Sequence, residues 1–171
     1  MANRDAPHGF KPIYAKYGEH CHTKKYTVAT THGIIGQGDL IETVDDGTVR
    51  KATASSTSLI GVAAHPLAAN TGTELLVYDN PGQVYEAQTD NGTGTLTAQT
   101  GVFLNANFID TATSTDFSIM EIDENSGNTT PTLPLKVMGL YTVSNNAFGE
   151  FNRLEVMINN HIYGSLGVTG L

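Results

Sequence analysis

The sequence predicts an all-β fold of the barrel or sandwich kind, on three observations. Thr, Gly, Asn and Ser are abundant while Trp is absent and only 15% of residues are charged, a composition that suits short strands joined by polar turns. Apolar side chains alternate with polar ones in short runs. Those runs are bounded by Gly, Pro, Asn and Asp, which set the backbone for turns. With 171 residues, the chain is long enough to bury roughly 70% of its unfolded surface in one domain.

Residues 1–22 read as an extended N-terminal arm, with residues 23–171 as a single β domain. Pro7, Gly9, Pro12 and Gly18 interrupt regular structure there. Phe10, Ile13, Tyr14 and Tyr17 give the arm apolar anchors, to be laid on its own body or on another subunit. A first strand pattern runs from Lys25 to Thr30. Gly38–Val44 and Thr48–Thr53 flank Asp45-Asp46-Gly47, the strongest local hairpin signal in the chain. Ser58–Ala64 is a continuous apolar run suited to a strand buried on both faces.

Glu74–Tyr78 and Gln83–Gln88 flank Asp79-Asn80-Pro81-Gly82, which predicts a central hairpin. Proline lacks the N–H that a central ladder needs, so it belongs in the turn. Residues 89–101 read as loop, and Val102–Ile109 as a strand or a short helix. Phe117–Ile122, Leu135–Tyr141 and Leu154–Ile158 alternate as strands, with 123–134 as a long exposed loop between the first two. The expectation is eight or nine strands.

The formal charge of −8 is unevenly spread: five basic against two acidic residues give residues 1–25 a net of +3, leaving −11 on the remainder. Nucleic acid is excluded as a direct partner, because neutralising phosphates takes clustered Lys and Arg. A basic leader on an acidic body instead suits docking on a complementary surface. Cys21 is the only cysteine, so no intramolecular disulfide is expected. No run approaches the ~18 apolar residues of a membrane span, and the first residues lack the apolar stretch of a secretory signal. The chain is therefore expected to stay soluble where it is made.

Few residues carry chemistry. His20-Cys21-His22 is a candidate metal cluster, but adjacent residues cannot all face one ion, and the usual zinc spacings are missing. Cys21 lacks a base held beside it, and no nucleophile elbow or phosphate loop occurs. Asp45-Asp46 and Asp123-Glu124 fit turn and loop positions as they stand. The sequons Asn91-Gly92-Thr93 and Asn128-Thr129-Thr130 gain no support from a secretory signal. Neither an enzyme nor a cofactor or metal is expected.

Three segments carry a resemblance. The opening Met1–Pro12, the central Val77–Gln88 and the closing Leu154–His161 resemble the head decoration, or capsid cement, proteins of tailed bacteriophages. Gly38–Ala64 is similar to their strand–Asp-Gly–strand–Ile-Gly-Val-Ala arrangement. The resemblance implies a small β-barrel or β-tulip-like subunit, usually a homotrimer. Such a subunit sits on the outside of the capsid at three-fold or quasi-three-fold positions and clamps neighbouring major capsid proteins. It implies a virion location after assembly in the host cytoplasm, and an arm that reaches onto the shell through Arg4, Phe10, Lys11, Ile13, Tyr14 and Tyr17. Tyr78 and Tyr85 are the expected interface aromatics. The competing expectation is a carbohydrate-binding β-module that uses Tyr78, Tyr85 and Tyr141.

Overall fold

The computed structural model describes residues 3–16, 18, 21–90, 92–112, 116–164 and 170. Among the described residues, eleven strands form two antiparallel sheets and there is no α-helix. The first sheet has the order β1 (Lys11–Ala15), β7 (Gln83–Gln88), β11 (Arg153–Ile158), β10 (Leu135–Leu140), β8 (Asn105–Ile109) and β9 (Glu121–Asn128). The second has β2 (Lys24–Thr27), β6 (Glu74–Tyr78), β5 (Leu59–Ala63), β3 (Leu40–Thr43) and β4 (Val49–Lys51). Residues Thr95–Thr97 and Gln99–Gly101 make two 3-10 turns.

Neither sheet is a closed barrel. In the second sheet a bridge from Val28, just after the edge strand β2, reaches Val49 of the other edge strand β4; in the first, Thr89, just after the interior strand β7, bridges to Ile122 of the edge strand β9. One bridge does not make a paired strand, so the expected barrel resolves into two curled open sheets. The smaller core fills the curl of the second sheet with Ile35, Ile41, Ile60, Leu75 and Val77. The larger core joins the sheets, with Leu40, Leu59 and Val62 meeting Tyr85, Phe108, Ile122 and Val156. Neighbours in sequence on β3 and β5 thus feed different cores, because successive side chains point to opposite faces. All five residues of β5 are buried, which is what its unbroken apolar run predicts.

The Asp45-Asp46-Gly47 hairpin forms as expected. β3 and β4 pair antiparallel, the Val44 N–H donates to the Thr48 carbonyl at 2.8 Å, and Gly47 supplies φ +82°. The second expected hairpin does not form. Asp79–Gly82 does turn the chain, with Asn80 Oδ1 accepting the Gly82 N–H at 2.8 Å. It delivers the chain from one sheet to the other, however. β6 has β2 and β5 on its two edges, and β7 has β1 and β11. Neither keeps an edge for its neighbour in sequence.

Two further readings change. The 123–134 loop begins as strand: β9 runs to Asn128 and pairs with β8. Its polar side chains stand in for an apolar pattern; Ser126 Oγ accepts the Asn107 N–H at 2.7 Å and Asp90 Oδ1 the Glu124 N–H at 3.1 Å. The arm, read as irregular, contains β1 on the β7 edge. Pro12 is tolerated there because an edge strand can lack one N–H, and the register shifts just beyond it.

Candidate functional site

The N-terminal segment is a strap built into its own body. Asn3 Nδ2 donates to the carbonyls of Ala147 and Glu150, both at 2.8 Å, and its Oδ1 accepts the Ala147 N–H. Gln88 accepts the Ala6 N–H and donates to the Arg4 carbonyl at 2.7 Å. Phe10 donates its N–H to the Gly38 carbonyl of the loop before β3. Sequence left open whether the anchors rest on this body or another subunit; for the described residues it is this one.

Beneath the strap, Glu86 is buried in the middle of β7 and its Oε1 faces two bases. His8 Nε2 lies 3.0 Å away and an Arg153 guanidinium nitrogen 3.2 Å. Burial pushes this carboxyl up, but the His8 hydrogen bond and the charges of His8, Arg153 and Lys11 outweigh it and hold the group below its ordinary value. The strap therefore supplies a partner without which burying the charge would be costly. It also explains why all six residues of β7 are buried.

The expected contact residues divide. Arg4, Lys11 and Tyr14 are exposed and Ile13 is half-buried; Tyr14 donates its hydroxyl to Glu155 at 2.9 Å. Phe10 is 1% exposed and belongs to the larger core, so it anchors the strap internally and offers nothing to a partner surface. Tyr17 lies outside the described residues. Tyr78 is half-buried against the larger core. Tyr85 is 1% exposed and donates its hydroxyl to the Tyr78 carbonyl at 2.9 Å. Tyr85 is thus a core residue, not an interface or sugar-stacking one. Tyr141 lies under the Arg153 guanidinium, 5.4 Å from its ring centre. Of the candidate metal cluster, His20 lies outside the described residues, Cys21 is exposed, and His22 Nε2 sits 3.7 Å from Asp79.

Sequence reasoning missed a groove of about 970 Å³ at the Asp79–Gly82 crossover, lined also by Lys16, Lys24, Lys136, Met157, His161 and Tyr163. Tyr26 donates its hydroxyl to Asp79 Oδ2 at 2.6 Å, and the Tyr163 hydroxyl is 3.4 Å from that of Tyr26. Burial raises the Tyr26 hydroxyl far above its ordinary range, helped by Asp79. Burial likewise lowers His161, more than the nearby Asp79 charge raises it, so it is neutral at pH 7. The only prior signal was the Asp-Asn-Pro-Gly turn, which reads as local punctuation.

At the other end of β9, Glu121 is pushed up to about 7 by burial, with Asp5 of the strap and Asp90 adding repulsion. A raised acid pKa means that the folded state holds its proton more tightly. Stability is thus fully present below about pH 4.5 and is lost as pH rises through 7. Because the group is half in solvent, the penalty is of order 1 kcal/mol. Glu121→Gln is expected to raise the melting temperature at pH 8 by about 2–4 °C and to change nothing at pH 4. Equal shifts at both pH values would contradict it.

Compared with protein-family models, with curated proteins and with solved structures, the chain has no match.

Proposed function

We propose that this chain is a structural virion protein that binds the outside of a tailed-phage capsid and cements neighbouring major capsid proteins as a homotrimer. The observation that carries the reading is a set of large apolar side chains held in solvent. Phe117 is 65% exposed, Tyr163 56%, Phe103 49% and Tyr14 46%, with Ile34, Leu76, Val143 and Ile162 also exposed. On an acidic body with little charge, these side chains are open to contact with companions. The resemblance of the opening, central and closing segments to cement proteins supplies the kind of companion. In this reading the two curled sheets make a β-tulip-like knob, and the exposed Arg4, Lys11 and Tyr14 of the strap face the shell.

Cementing needs no reacting group. A trimer touching several shell subunits forms its later contacts at high effective concentration, and binding only the assembled lattice opposes its disassembly. Deleting residues 1–22 is a poor test, since it removes Phe10 from the core and β1 from the sheet. Surface substitutions are the better probe. Arg4→Ala combined with Lys11→Ala is expected to leave the fold intact and to weaken binding to capsids about tenfold or more. Unchanged capsid binding would remove the strap from the contact. Light scattering on a size-exclusion column is expected to give three copies of the 18.2-kDa chain; a strict monomer would contradict the trimer.

A further inference from the structure

The crossover groove carries a need that cementing does not use. Its lining holds three lysines and His22 against a single carboxylate, Asp79, on a chain whose formal charge is −8. Asp79 is 7% exposed. One oxygen is met by the Tyr26 hydroxyl at 2.6 Å, while Oδ1 is buried with no hydrogen-bond partner among the described residues. The nearest basic nitrogen to it among the described residues, His22 Nε2, stands at 3.7 Å, beyond hydrogen-bond reach. A buried carboxylate oxygen lacking a donor costs about 1–3 kcal/mol or more, so an outside donor that displaces the side chains covering Oδ1 gains that energy.

The rim asks for something different. Lys24 Nζ lies 5.3 Å from the Tyr26 ring centre and 5.6 Å from that of Tyr163, and Lys16 adds a second exposed ammonium. A cationic ligand would satisfy Asp79 and be repelled by the lysines. A bare anion would satisfy the lysines and leave Oδ1 unmet beside it. A ligand bearing both hydroxyls and a negative charge answers both, and the half-exposed Tyr163 ring offers it a flat apolar face.

We propose that this groove binds an acidic saccharide, with a sugar hydroxyl donating to Asp79 Oδ1 and the sugar carboxylate lying towards Lys24 and Lys16. The volume suits a short oligosaccharide. The site is separate from the Tyr78, Tyr85 and Tyr141 set considered from sequence, and it would give the chain adhesion to acidic polysaccharide beyond shell binding.

Calorimetric titration of the full chain with trigalacturonate tests it, with glucose and sodium sulfate as the comparison probes. Trigalacturonate is expected to bind, with glucose and sulfate each weaker by about tenfold or more. Asp79→Asn should reduce affinity about tenfold, because it replaces the charged acceptor of the sugar hydroxyl by a neutral amide. Lys24→Ala alters an exposed residue and should reduce affinity about fivefold while melting like the parent chain; it serves equally if Asp79→Asn fails to fold. No binding of trigalacturonate, equal binding of glucose or sulfate, or full affinity in Lys24→Ala would overturn the proposal.

Discussion

Gly61→Ala is expected to lower stability by about 3 kcal/mol or more, one of the two largest effects foreseen for a single substitution here. Gly61 lies in the middle of β5, opposite Ile41 on β3. Its φ is +152°, and a Cβ there would stand 2.0 Å from the Tyr78 carbonyl oxygen and 2.8 Å from Val77 Cγ1. The first neighbour is backbone in a paired strand and has no rotamer to change. Relief would mean prising β6 from β5, between which Tyr78 pairs with Val62 and Val77 with Ala63. For a chain of this size the melting temperature should fall by about 10 °C, read by circular dichroism. Gly33→Ala is the control, since a Cβ there meets nothing within 4 Å. A Gly61→Ala chain melting with the control would show that β5 and β6 are not packed as described.

Phe10→Ala should cost about 3–5 kcal/mol, the usual loss for emptying a buried aromatic site. Phe10 shares the larger core with residues of both sheets, including Leu40, Met120 and Leu154, so the cavity opens where the two layers meet. The strap's polar contacts to Ala147 and Glu150 would keep its first residues tethered and limit collapse. Denaturant unfolding measures the loss. A Phe10→Ala chain as stable as the parent would mean that the segment is a removable arm laid on another subunit, one of the two placements sequence left open.

How far sequence carried the fold can be seen at these same residues. Ser58–Ala64 announced a strand buried on both faces because its apolar run has no polar break, and Asp45-Asp46-Gly47 announced a hairpin because glycine is needed at positive φ. Tertiary facts were less legible. The Asp79–Gly82 turn has the chemistry of a reversal, but whether the following strand pairs back is decided by which edges other strands occupy. The part of β9 beyond Ile122 was hidden because its cross-strand contacts rest on Ser126 and Asp90, residues equally at home in a loop. Phe10 carried the right signal, an apolar anchor in a polar segment, with no indication of which surface receives it.

The site was less legible than the fold. Lys16, Lys24, Asp79, His161 and Tyr163 are scattered along the chain, and only the crossing from one sheet to the other gathers them. The tyrosines picked from sequence fell on both sides of the surface: Tyr85 went to the core, while Tyr14 stayed in solvent. Aromatic type is the same in both settings, so the choice follows strand register.

Sedimentation with shells tests the fastener reading most directly. Under the proposed function, tailed-phage heads prepared without this chain are mixed with the purified protein, pelleted, and the bound copies counted. Saturation at a whole number of trimers per shell, with heads that then withstand heating better, is the predicted result. Protein left entirely in the supernatant, with heads no more durable than before, would contradict the account.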